Sequence, residues 1–152
     1  MEFYEQNMRL LKKKNKNLYD RIKDYHQSEK IKLKDDLESA DTIAKLETGD
    51  KEFALEEARK KGYTMQAFIK DGTSAYLHSK YAPEREAQNL VEKLDPEMKD
   101  EIFALGWGLG FHILELTANH NFKKLFVLDP HLSVFYFTLL YKDLSLVLKS
   151  DK

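Results

Sequence analysis

Apolar positions near the amino terminus recur at helical spacing. Tyr4, Met8 and Leu11 stand at i, i+4 and i+7, and Leu18, Ile22 and Tyr25 repeat the pattern. Each set makes one apolar stripe on an otherwise polar helix. The polar corner between them, Lys12 to Asn17, predicts an αα-hairpin over 1–27, with Asn15 or Asn17 capping the second helix. Gln27 to Thr48 is weakly patterned, and Ser28 to Asp36 reads as linker. Lys51 to Lys61 fits either a helix closed by Gly62 or a strand turning at Lys60-Lys61-Gly62. Thr64 to Lys70 alternates, with Met65, Ala67 and Ile69 on one side. Asp71-Gly72 signals a tight hairpin turn, and Thr73 to His78 returns as its second strand. Pro83 suits the first position of a helix, and Glu84 and Glu86 complement its dipole. Ala87, Leu90, Val91 and Leu94 would form its packed face, and Asp95-Pro96 ends it.

The second half carries a different pattern. An apolar run, Ile102 to Leu105, meets three alternating glycines, Gly106, Gly108 and Gly110. A helix follows, then a second run, Leu125 to Leu128, stopping at Asp129. Strand, glycine turn, helix, strand, acid is how a mononucleotide-binding βαβ unit begins. The expected fold class is therefore α/β: an N-terminal helical hairpin and a small antiparallel β-hairpin region, followed by the start of a Rossmann-like βαβ unit that is incomplete. The expected boundaries are 1–27, 28–98 and 99–152. The segment Pro130 to Tyr141 is apolar on both sides. Only two parallel strands are present, whereas such sheets are covered on both faces. Cover for Leu132 to Tyr141 is therefore expected from further chain or from another subunit, as in a homo-oligomer.

The glycines define the first group of candidate ligand-binding residues: Gly106, Gly108, Gly110, His112 and Asp129. A strand that turns sharply into a helix needs positions that tolerate positive φ, and bare backbone N–H groups can approach a phosphate at a helix N-terminus. Asp129 lies 23 residues after Gly106, where an acid can accept from a ribose. The spacing is G-x-G-x-G, closer to methyltransferase-like loops than to the dinucleotide fingerprint. The glycines also fit plain strand–helix packing. His112 fits a neutral hydrogen-bonding role or a packed one. Asp129 fits a ribose acceptor or the N-cap of a helix starting at Pro130.

A second group, His78, Ser79, Lys80 and Arg85, stands at the hairpin-to-helix corner. Lys80 with Arg85 could clasp a phosphate or carboxylate, or Arg85 could pair with Glu84 or Glu86. Ser79 and His78 do not make a nucleophile–base pair, because adjacent strand residues face opposite ways. No catalytic residue emerges. His112, His120 and His131 lack metal-motif spacing, so no metal is expected.

Composition narrows the class. The 152 residues carry a formal charge of -1, which argues against a general nucleic-acid binder. Residues 1–34 hold a net +5, 35–101 a net -7 and 102–152 a net +1, so basic and acidic regions can complement each other. No cysteine is present, hence no disulfide or thiol chemistry. Apolar stretches are too short for a membrane span, which needs about 20 residues. The default compartment is the cytoplasm.

Two blocks, LHSKYAPEREA and ALGWGLGFH…LDP, carry a resemblance. Through His78, Ser79, Lys80, Tyr81, Pro83, Arg85, Glu86 and Ala87, then Gly106, Gly108, Leu109, Gly110, His112, Asp129 and Pro130, the chain resembles the amino-terminal part of the Maf family. These are motility-associated-factor flagellin glycosyltransferases, whose central region is similar to MptE-like 6-hydroxymethylpterin diphosphokinases. The match covers residues 77–135. Family members often carry Asp where this chain has Ala82 and a smaller aromatic where it has Trp107. The resemblance implies a bacterial cytoplasmic enzyme that moves a nonulosonic acid from a CMP-sugar to Ser or Thr of flagellin. It also implies that catalysis resides downstream of these blocks, so this chain would scaffold or bind acceptor. CMP-sugar or another nucleotide is then the candidate cofactor; flagellin, or the rest of the glycosyltransferase chain, is the expected partner. The other reading is a small nucleotide- or S-adenosylmethionine-binding module of methyltransferase-like fold, completed by oligomerisation.

Overall fold

A computed structural model describes residues 3–28, 31–33, 42–48, 51–60, 62–69, 72–96 and 99–151. The chain divides into two compact units, Ser28–Glu86 and the pair Met1–Gln27 with Ala87–Lys152. It is a mixed α/β protein, as its patterning indicates. Among the described residues no helix is long and apolar enough to cross a membrane.

The Ser28–Glu86 unit is built on an antiparallel sheet of order β1-β2-β3-β4-β5. Its strands are β1 (Ile31–Leu33), β2 (Thr42–Thr48), β3 (Lys51–Glu57), β4 (Tyr63–Ile69) and β5 (Ser74–Tyr76). The hairpin expected after residue 63 is present: Gln66 pairs with Tyr76 and Phe68 with Ser74. Gly72 has φ +88°, as a tight turn requires, while its neighbour Asp71 lies outside the described residues. Between the two readings of Lys51 to Lys61, the strand is the one formed. β3 is the central strand, with Phe53, Ala54, Leu55 and Glu56 all buried, so both its faces are covered. That is why no clean alternation marks it.

The linker expected at Ser28 to Asp36 needs correction. Residues 31–33 form β1, paired with β2, and 34–36 lie outside the described residues. β2 carries little apolar signal where its burial is described: over residues 42–45 the buried positions are Thr42 and Ala44, one polar and one small.

In the other unit, α1 (Tyr4–Lys14) and α2 (Lys16–Ser28) form the expected hairpin. Asn15 is the cap, its Oδ1 accepting from Leu18 N at 3.0 Å. α3 (Pro83–Leu94) precedes β6 (Glu101–Leu105), α4 (Phe111–Asn119) and β7 (Lys124–Leu128). β6 and β7 pair in parallel, Glu101 with Lys124 through Leu105 with Leu128. Val91 of α3, Leu116 of α4 and Phe122 pack with Ile102 and Leu125 on one face of this two-stranded sheet. The stripe on α3 is narrower than its spacing suggests: Ala87 and Val91 are buried, whereas Leu90 and Leu94 are exposed.

α5 (Leu132–Tyr141) and α6 (Ser145–Lys149) complete the unit. α5 begins at Leu132 rather than Pro130, and every residue from Ser133 to Leu140 is buried. The cover expected from further chain or another subunit comes instead from the chain itself. Tyr4 and Tyr25 meet the Tyr136 ring edge-on at 6.1 and 5.4 Å, and His26 Nδ1 bonds the Tyr136 hydroxyl. The uncovered apolar surface lies elsewhere, on the second face of the β6–β7 sheet. There Phe103 is 71% exposed, Leu105 83%, Phe126 45% and Leu128 68%.

One buried amide joins the sequence-distant halves of this unit. Asn7 Nδ2 donates to Leu139 O at 3.0 Å and to Lys142 O at 2.7 Å, and its Oδ1 accepts from Leu144 N at 3.0 Å. These groups lie where α5 ends and α6 begins, where a helix terminus leaves backbone polar groups without intrahelical partners. Asn7→Ala strands both carbonyls and the N–H in a buried place and should cost roughly 2–4 kcal/mol. Urea unfolding followed by fluorescence of Trp107, the single tryptophan, measures this loss within the same unit.

Candidate functional site at the glycine turn

The turn between β6 and α4 is built from local necessities. Gly106, Gly108 and Gly110 all have positive φ, at +88°, +56° and +71°. Gly106 N donates to Leu128 O at 2.8 Å, extending the β6–β7 pairing by one step. Gly110 N donates to Trp107 O at 2.9 Å, and Gly110 stands as the N-cap of α4 with no side chain to cap it. The Trp107 indole lies against Gly110, so that a Cβ there would meet Cε2, Cζ2 and Nε1 at 3.1 Å. The ring also meets Phe135 of α5 edge-on at 4.9 Å and is only 6% exposed. Its buried Nε1 has no acceptor among the described residues.

Asp129 closes the turn. Its Oδ2 accepts from Trp107 N at 2.5 Å and its Oδ1 from His131 N at 2.6 Å. The first bond fastens the glycine turn to the end of β7; the second bends the chain into α5. Such charge-assisted bonds are about twice as strong as neutral ones. Asp129 is not the helix N-cap, because α5 starts later and His131 occupies that position. Its side chain is 13% exposed, so an incoming ribose would meet a carboxylate largely enclosed.

His112 sits in the first turn of α4 and its Nε2 lies 3.2 Å from Gly106 O. A carbonyl only accepts, so Nε2 carries the proton and donates. Burial holds its pKa below the ordinary 6.5; the bond to Gly106 works the other way, and the Lys142 charge lowers it further. The ring is thus held neutral. Lys142 Nζ stands over the Phe111 ring, 3.0 Å from its centroid. Thr138 Oγ1 reaches Gly108 O at 3.2 Å and Val134 O at 3.1 Å. Thr138, Trp107 and Lys142 were missing from the residues singled out by spacing. Trp107 left a trace as a departure from the family's smaller aromatic, and Thr138 interrupts an apolar run.

The second group lies in the other unit's sequence and does a different job. Ser79 Oγ accepts from Tyr81 N and Ala82 N, both at 3.2 Å, and Ser79 N donates to Glu86 Oε2 at 2.8 Å. Together these bonds tie the 79–82 turn to the first turn of α3. His78 O accepts from Thr64 Oγ1 at 2.9 Å. Lys80 Nζ donates to Tyr76 Oη at 3.0 Å and pairs with Glu56 Oε2 at 3.3 Å. Those bonds raise the Lys80 pKa, so an anion arriving here competes with Glu56 for an ammonium already paired. Arg85 is exposed on α3. Among the described residues no cluster of three or more acids or histidines could hold a metal.

A family model described as glycosyltransferase Maf N-terminal domain matches residues 3–151. The chain belongs to this family. No curated protein and no solved structure matches it. The Maf match takes in α1 and α2 as well as the glycine turn, so both sequence-distant parts of the helical unit belong to one family domain.

Two outcomes follow from the turn geometry. Gly110→Ala should cost roughly 2–4 kcal/mol, combining positive-φ strain with a clash against Trp107, and should shift the tryptophan emission. Gly106→Ala, with open space around its missing Cβ, should cost about 1–2 kcal/mol and leave the emission unchanged. Because His112 has a lowered pKa, its contribution to stability is complete above the unfolded value of 6.5 and is lost as pH falls through the folded value. Melting temperatures should therefore drop more steeply below pH 6.5 in the wild type than in His112→Gln, which keeps a donor for Gly106 O but does not titrate.

Proposed function

We propose that this Maf-type glycosyltransferase region scaffolds the enzyme or binds its acceptor rather than performing the transfer. The observation that carries this reading is the Asp129 carboxylate, which is 13% exposed with an oxygen on each of two backbone N–H groups. The acid that a nucleotide fold offers to a ribose serves here as a brace between turn and helix. His112 likewise turns its donor to Gly106 O. In this reading the donor is a CMP-activated nonulosonic acid, the acceptor is flagellin Ser or Thr, and the work is done in the cytoplasm beside a catalytic domain of the same enzyme.

A second reading draws on the uncapped start of α4 and the unpartnered Trp107 indole beside it. Those donors would suit the phosphate of a nucleotide or the carboxylate of S-adenosylmethionine. Thermal unfolding with millimolar CMP or S-adenosylmethionine separates the two. Scaffolding predicts an unchanged melting temperature for both compounds. Saturation at about 100-fold over Kd would add about 2.7 kcal/mol, a rise of several degrees. Such a rise, abolished in Gly110→Ala, would establish ligand binding and overturn the scaffolding reading.

A further inference from the structure

The outer face of the β6–β7 sheet shows Glu101, Phe103 and Leu105 beside Lys124, Phe126 and Leu128, the exposed members of each alternating strand. A parallel sheet is normally covered on both faces, and here α3 and α4 serve only one. Phe103 and Phe126 stack at 4.8 Å and 12°, which makes the face flat and continuous. Its four large apolar side chains amount to roughly 500 Å² of contiguous apolar surface, at the size that marks an interaction site.

We propose that this face pairs with the same face of a second copy. The register supplies the reason. Take a twofold axis between two such faces, running parallel to the strands. It lays β6 of each copy on β7 of the other, so in-register residues meet: Glu101 on Lys124, Phe103 on Phe126 and Leu105 on Leu128, each twice. Opposite charges and like apolar groups coincide without any adjustment of register. The other in-plane axis, perpendicular to the strands, would set Glu101 over Leu105 and bury a carboxylate on an apolar group. Two sheets at about 10 Å separation pack in the first manner, as in aligned sandwiches. With the stems of Glu101 and Lys124 added, the area buried by each copy stays below the roughly 800 Å² of a standard interface, which suits a weak, concentration-dependent dimer. The second copy supplies the layer that the parallel sheet lacks.

Sedimentation velocity on the 152-residue chain tests this. The expected result is a monomer–dimer equilibrium at tens of micromolar. Leu105→Lys should give monomer, with circular dichroism and Trp107 fluorescence unchanged to show that the fold persists. Lys124→Glu places acid against acid in both symmetric contacts and should weaken the dimer roughly tenfold or more. The double variant Glu101→Lys, Lys124→Glu reverses both partners and should restore it. Monomer at every concentration would overturn the proposal and leave the face to another part of the glycosyltransferase chain. A dimer indifferent to Lys124→Glu would overturn it as well, because association would then run through a different surface.

Discussion

The helical unit depends on the amide of Asn7. It is assembled from the two ends of the chain, and a sheet that closes early in sequence cannot hold such ends together. Helix termini must have their backbone polar groups met somewhere. Here the end of α5 and the start of α6 find three of those bonds on one side chain of α1. The surrounding contacts follow from that placement. Gln6 Nε2 reaches Asp143 Oδ1 at 2.9 Å, and Lys14 bonds the carbonyl of Ser150, so α1 lies along the carboxyl-terminal segment over its length. With α1 and α2 in place, the largely apolar α5 is buried by its own chain.

The glycine turn shows how a ligand-type motif can be absorbed by structure. A turn with three positive-φ glycines leaves backbone donors that must be satisfied. In a nucleotide fold a phosphate can do this from outside. Here Asp129 accepts from Trp107 N in that place, while Thr138 and His112 donate to the turn's acceptors, the carbonyls of Gly108 and Gly106. The Trp107 indole then lies over the helix start. The largest exposed apolar side chains beside this turn are those on the outer face of β6 and β7.

Much of the architecture was legible along the chain, for separable reasons. The α1–α2 corner was plain because the apolar stripes have one period and break at a polar run. The β4–β5 hairpin was plain because Asp-Gly turn chemistry is local. The β6–α4–β7 unit was plain because short apolar runs around glycines have few other uses. β2 was hidden, since a stretch that buries Thr42 and Ala44 has little hydrophobic rhythm to read. At the site, the glycines and His112 were visible by type and spacing. Thr138 and Lys142 were not, because they reach the turn through tertiary packing, and Trp107 stood in the motif without showing that its ring would fold back over Gly110.

What the amino-acid order determined by itself was the set of local elements and the positions where only glycine fits. Backbone sterics and side-chain period act over a few residues, so they can be read without the fold. Only the tertiary structure decided which surface remains open. The largely apolar α5 and the runs of β6 and β7 look equally in need of cover, since hydrophobicity carries no direction. α1 and α2, far away in sequence, bury the first, and nothing in this chain covers the second among the described residues. The partners of Asp129 were decided in the same way: a carboxylate at a strand end suits many donors, and packing brought two backbone N–H groups to it.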